Sequence, residues 1–284
     1  MPFSHAIEHA HAFEGGIVHW WTPEQRLADK PWLVFLPGLT ADHRLFAPQI
    51  EHVDGSVNWL AWDAPSHGAS RPHQLTWSYD DVARILQSIL VIENIAAPIL
   101  VGQSMGGYIA QVFMDLFPTE ARGFISIDSC PLGRSYYTAA ELACLRHTRG
   151  LLSLIPWKRL VNLTCDGCAT TEQGKDLMRS MISVYGKREF RDLAAHGYRE
   201  LARAVAADRA PEITCPTLLI CGEKDAAESA RRYNRAWSRT TGLPVHWIAD
   251  AGHNSTIDNP AALNRLIEGF LGSLDAEQAG APSR

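Results

Sequence analysis

Five residues, Gly102-Gln103-Ser104-Met105-Gly106, constrain this chain more than any others because they join two incompatible periodicities. The run Pro98-Ile99-Leu100-Val101 leads in with the pattern of a buried strand, and Tyr108-Ile109-Ala110-Gln111-Val112-Phe113-Met114 leads out at helical period. A strand passes into a helix this abruptly only through a strained bend. Side chains at Gly102 or Gly106 would collide with the strand and helix on either side. The spacing is that of the G-x-S-x-G elbow, in which the bend turns the serine hydroxyl outward. Ser104 is therefore the candidate nucleophile. The Met105 amide, at the positive end of the helix, is a candidate donor to an oxyanion.

The chain has 284 residues, enough to bury a full core as one large α/β domain carrying an insertion. A 46% apolar fraction and 20% charge are ordinary for a soluble globular protein. The net charge of −5 comes without a basic block, so neither nucleic acid nor an anionic membrane is expected as a partner. Residues 1–20 lack a basic start followed by an apolar core, and no apolar run is long enough to span a bilayer. A cytoplasmic protein is the expectation.

Six scattered cysteines are expected to be free thiols. Cys165 and Cys168 have metal or redox spacing, but no second pair accompanies them and no functional role is expected. No phosphate loop, dinucleotide fingerprint or metal cluster is present, so neither cofactor nor metal is implied. The expected partner is a small-molecule substrate. Nothing in the pattern speaks to oligomeric state.

Strand patterns lie at residues 16–21, 32–36, 57–62, 99–103, 123–128, 217–221 and 245–248. Helical patterns alternate with them at 78–93, capped by Ser78, after the elbow, at 227–237 and at 260–271. This alternation predicts a doubly wound, mostly parallel sheet. Between residues 131 and 211 it stops, and helices are expected at 139–147, 151–161, 172–185 and 189–207. The predicted organisation is a core of residues 1–130 and 212–284 with a helical cap, 131–211, over the strand ends where ligands bind. The tail, 273–284, is expected to fray.

Four stretches in this order resemble the α/β-hydrolase family with an inserted cap: Leu36-Pro37-Gly38-Leu39-Thr40, Asp63-Ala64-Pro65-Ser66-His67-Gly68-Ala69-Ser70, the elbow, and Cys221-Gly222-Glu223-Lys224-Asp225 with Ala251-Gly252-His253-Asn254. The resemblance spans residues 16–271. It departs from the family pattern at Pro37, where a His is usual, and at Ser66, where a Gly is usual.

A serine hydroxyl needs a proton acceptor within hydrogen-bond reach. Of twelve histidines, His253 follows a strand end and a glycine and completes the family order serine, acid, histidine. His67 reads instead as a loop brace. Asp225, after the 217–221 strand, is the candidate acid that orients the imidazole. Asp128, at the end of the strand after the elbow helix, is the alternative acid. The resemblance implies the Leu39 amide as second oxyanion donor beside Met105.

The cap offers Tyr136, Tyr137, Trp157, Tyr185, Phe190 and Tyr198, of which Tyr137, Trp157 and Tyr185 are the candidate substrate contacts. Such a site implies hydrolysis of a carboxylic ester or lactone of small to medium apolar character. The same triad serves carbon–carbon bond hydrolysis and cofactor-free perhydrolase chemistry, and a ligand receptor retaining the triad is the alternative of another class.

Overall fold

The apolar runs become the interior of one eight-stranded sheet in a computed structural model that describes residues 3, 5–209 and 213–280. In chain order the strands are β1 (Ala6–Phe13), β2 (Gly16–Pro23), β3 (Trp32–Leu36), β4 (Asn58–Asp63), β5 (Ile99–Gln103), β6 (Gly123–Ile127), β7 (Thr217–Gly222) and β8 (Val245–Ile248). Their spatial order is β1-β2-β4-β3-β5-β6-β7-β8. From β4 through β8 every pairing is parallel, while β1 and β2 form an antiparallel edge. Strands covered by helices on both faces must be apolar on both, and β4, β5 and β6 are buried at every residue.

The chain winds outward from β3 in both directions, first to β4 and then across to β5. Pairing of β3 with β5, down to Leu36 opposite Gly102, therefore marks the point where strand order reverses. Ligand clefts in such sheets open beyond the strand ends at that point. The turn after Leu36 and the elbow after Gln103 both lie there.

The helices are α1 (Ala47–Val53), α2 (Tyr79–Ile92), α3 (Met105–Leu116), α4 (Ala139–Arg146), α5 (Thr148–Ser153), α6 (Trp157–Cys168), α7 (Glu172–Ser183), α8 (Lys187–Ala206), α9 (Ala230–Thr241), α10 (Ser255–Asp258) and α11 (Pro260–Gly280). Ser78 caps α2, its hydroxyl accepting from the Asp81 amide while the Asp81 carboxylate accepts from the Ser78 amide. Helices α4 to α8 form a helical insertion between β6 and β7. Its expected C-terminal limit at 211 lies outside the described residues.

Two expectations are corrected, and one strand is added to those expected. Instead of one helix over 151–161 there are two, because Pro156 has no amide to continue α5 and instead caps the start of α6. The tail does not fray at 273: α11 runs on to Gly280, with Leu274 buried and close to Gly123 and Arg122 paired to Asp275 at 3.2 Å. Strand β1, unmarked by any apolar run, forms as the outer arm of a hairpin whose turn places Gly15 at φ +96°. No described helix is long and apolar enough to cross a membrane.

Candidate active site

Ser104 stands between β5 and α3 with φ 49° and ψ −116°, a conformation that non-glycine residues rarely adopt. The surrounding packing holds it there. A Cβ on Gly106 would lie 1.8 Å from the Leu36 carbonyl oxygen, and one on Gly102 would lie 2.5 Å from the Gly107 nitrogen. Both glycines are therefore obligatory. The Ser104 amide donates to the Ile127 carbonyl at 3.0 Å, and the Ser129 hydroxyl donates to the Ser104 carbonyl at 2.8 Å. The strained residue is thus pinned on both sides of its Cα.

His253 Nε2 lies 2.9 Å from Ser104 Oγ, and His253 Nδ1 lies 2.9 Å from Asp225 Oδ2. A carboxylate oxygen only accepts, so Nδ1 carries the proton and Nε2 presents a lone pair to the serine hydroxyl. Asp225 is 1% exposed, and its other oxygen accepts from the Ala227 amide at 2.8 Å. The loops that carry Asp225 and His253 lie against each other. The Lys224 amide donates to Ala251 at 2.8 Å, and a Cβ on Gly222 would lie 2.2 Å from the Gly252 carbonyl oxygen.

The structure places Asp128 elsewhere. Its carboxylate accepts from the Gly222 amide at 2.7 Å, the Ser255 amide at 3.0 Å and the Ser255 hydroxyl at 2.5 Å. It joins the loop after β7 to the loop after β8. Burial, and then the nearby Asp225 charge, push its carboxyl up to about 7. Asp128, Cys221 and Asp225 bring potential ligand atoms within 4.8 Å of one another, yet the two carboxylates are already engaged by protein donors.

A Cβ on Gly38 would lie 3.1 Å from Ser104 Cβ, which sets the Gly38-Leu39 turn directly against the serine. Met105 is the first residue of α3, whose leading amides have no acceptor within the helix. The Leu39 side chain packs on α8, where a Cβ at Gly197 would meet Leu39 Cδ1 at 2.5 Å. Pro37 takes the usual histidine position without leaving the loop unbraced. The His43 amide and Nδ1 both donate to Asp63 Oδ1, at 2.7 and 2.9 Å, and the Ala69 amide donates to Asp63 Oδ2 at 2.7 Å. Arg44 donates to Asp42 through Nε at 2.9 Å and through a terminal nitrogen at 2.7 Å.

Of the aromatic candidates, Tyr137 packs on Tyr233 with ring centroids 4.6 Å apart, and Trp157 meets Phe190 edge-on at 5.5 Å. Tyr185 lies under Arg71 at 4.5 Å and accepts from the Gly68 amide at 3.4 Å. These contacts tie the insertion together, to α9 and to the loop after β4. Cys165 and Cys168 both lie on α6, and none of the six cysteines forms a disulfide among the described residues.

Two residues near the site left no motif. Gln103, 1% exposed, donates through Nε2 to the His253 carbonyl at 2.7 Å, linking the elbow to the histidine loop. Asp258 accepts from the Gly252 amide at 2.9 Å. Their signal is only their spacing from Ser104 and His253, which a sequence alone does not convert into backbone partners.

A model described as the alpha/beta hydrolase family matches residues 33–266. The chain is 26% identical over 268 residues to the 2-succinyl-6-hydroxy-2,4-cyclohexadiene-1-carboxylate synthase of Serratia proteamaculans, covering 87% of this chain and 96% of the relative. It is 23% identical over 278 residues to monoacylglycerol lipase abhd6-A of Xenopus laevis, covering 91% and 80%. The haloalkane dehalogenase DbeA of Bradyrhizobium elkani superposes with a TM-score of 0.77 at 20% identity, over 96% of this chain and 99% of that one. The chain belongs to the alpha/beta hydrolase family.

Proposed function

We propose that this chain is a serine hydrolase that cleaves a carboxylic ester or lactone of small to medium apolar character through Ser104, His253 and Asp225. The observation that carries the reading is the unbroken hydrogen-bond line from Asp225 through His253 to Ser104. Ser104 Oγ attacks the carbonyl carbon as His253 Nε2 takes its proton, and Asp225 stabilises the imidazolium that results. The Leu39 and Met105 amides receive the charge that develops on the carbonyl oxygen. His253 then gives its proton to the departing alkoxide, leaving an acyl-enzyme. A water molecule, deprotonated by the same nitrogen, releases the acid and restores the serine.

Residues 131–211 serve as the cap that selects substrate, with Tyr137, Trp157 and Tyr185 in its walls. A relative named as a monoacylglycerol lipase supports the ester reading. A relative named as a synthase, at slightly higher identity, supports a second one in which the same triad acts at a carbon–carbon bond. Six cysteines held as thiols rather than disulfides support a reducing, cytoplasmic setting.

Turnover across p-nitrophenyl esters of increasing acyl length, lactones and vinylogous diketones separates these readings. Sustained turnover of short or medium esters is expected, and Ser104→Ala should reduce it by about 10⁴-fold or more. A folded alanine variant that keeps a tenth of wild-type turnover contradicts the covalent mechanism. Turnover of the diketones alone selects the second reading, and single-turnover binding selects a receptor.

A further inference from the structure

The stretch from the end of α6 to the start of α7, residues 168–171, belongs to the insertion, yet most of its polar groups bond to the loop that carries His253 and to Asp258 just beyond it. The Cys168 carbonyl accepts from the Asn254 amide at 2.7 Å. The Thr170 hydroxyl donates to the Asp250 carbonyl at 2.7 Å. The remaining bonds converge on Asp258. Its Oδ2 accepts from the Thr170 and Gly252 amides, each at 2.9 Å, and its Oδ1 accepts from the Thr171 amide at 2.9 Å and hydroxyl at 2.7 Å.

These contacts bracket the histidine. Asp250 and Gly252 precede it, Asn254 follows it, and the insertion holds one backbone group of each directly or through Asp258. There is little room for the loop to slide, since a Cβ on Gly252 would lie 3.2 Å from the Cys168 carbonyl oxygen. Four donors also saturate one carboxylate, and no neutral side chain of that size accepts as many. Thr171 serves twice, its hydroxyl accepting from the Gly174 amide at 3.1 Å to cap α7 while it donates to Asp258.

We propose that Asp258 is a positioning residue for His253, and that through it the 168–171 segment of the insertion sets where the imidazole stands relative to Ser104. The insertion is then a buttress for the base on its α6–α7 side as well as a cover for the site. This rests on the serine hydrolase reading above.

Asp258→Asn is the informative change because it keeps size while turning one acceptor oxygen into a donating amino group. Whichever way the amide faces, that group meets two donors, either Thr170 N–H with Gly252 N–H or both donors of Thr171. The loop must shift to relieve it. Displacement of a catalytic group by about 1 Å costs about 10²-fold, so a fall of about tenfold to a hundredfold is expected. It should appear in kcat and in the rate at which a fluorophosphonate reacts with Ser104, both per folded molecule by circular dichroism, with KM unchanged.

Thr170→Val, at an exposed position, removes only the hydroxyl bond to Asp250. It should slow both rates by about threefold to tenfold, the effect of one hydrogen bond. It also keeps the test decisive if Asp258→Asn does not fold. The double variant should depart from the product of the two single effects, because both changes act on one loop.

Wild-type rates per folded molecule in the testable single variants, or effects that multiply independently, overturn the positioning role. A wild-type protein in which Ser104 takes no fluorophosphonate overturns the hydrolase reading instead, so the two failures are distinct.

Discussion

Ser104 and Asp128 share φ 49°, and the two strained residues do different things with it. At Ser104 the bend aims a hydroxyl at His253; at Asp128 it turns a carboxylate toward the amides of Gly222 and Ser255. The division between the two acids follows. Asp225 meets the imidazole proton directly, whereas Asp128 holds together the two loops that bring Asp225 and His253 into contact. Asp225→Asn keeps size but offers an amide that does not stabilise imidazolium, and kcat should fall by up to about 10⁴-fold. Asp128→Asn should cost less than about tenfold, since it touches no group that changes charge during the reaction. Steady-state kinetics on folded variants give the ranking, and the reverse order assigns the acid to Asp128. The candidate triad was legible in the sequence because each member sits at a strand end in a recognisable stretch. Gln103 and Asp258 were not, because what they bind is mainly backbone, and backbone carries no residue code.

At the scale of elements, legibility tracked burial. Strands β3 to β7 read clearly because both faces are covered, which forces continuous apolar runs. Strand β1 did not, because it lies at the sheet edge and carries Glu8, His9 and His11, of which Glu8 and His9 pair with His19 and Thr22 on β2. Helix α1 escaped for a related reason: it is seven residues long and opens with Ala47-Pro48, too short for a periodic pattern. The split between α5 and α6 was written in Pro156 but outweighed by the apolar residues on either side of it. In α11 the decisive contact is tertiary: Leu274 packs near Gly123 on β6, a partner that helical periodicity does not reveal.

For the molecule as a whole, the reversal of strand order between β3 and β5 gathers the candidate oxyanion turn and the elbow, while β7 and β8 deliver the candidate acid and base. The loop after β4 completes this arrangement, and it carries a titratable load. His67 is 1% exposed, donates through Nδ1 to the Pro65 carbonyl at 3.0 Å, and has no hydrogen-bond partner at Nε2 among the described residues. Burial pushes its pKa down from 6.5 to about 4. The unfolded chain therefore takes up a proton below pH 6.5 that the folded chain refuses until about pH 4. Stability falls as pH drops across that window, by about 3 kcal/mol from this group when the window has been crossed. Thermal unfolding of the wild type and His67→Asn from pH 7.5 to 5 should show a flatter acid limb in the variant, and parallel limbs contradict the assignment. The central claim, that His253 activates Ser104, is tested most directly by mass spectrometry after reaction with a fluorophosphonate. The adduct should form on Ser104 alone, at a rate that collapses in His253→Ala; an adduct elsewhere, or an unchanged rate in that variant, contradicts it.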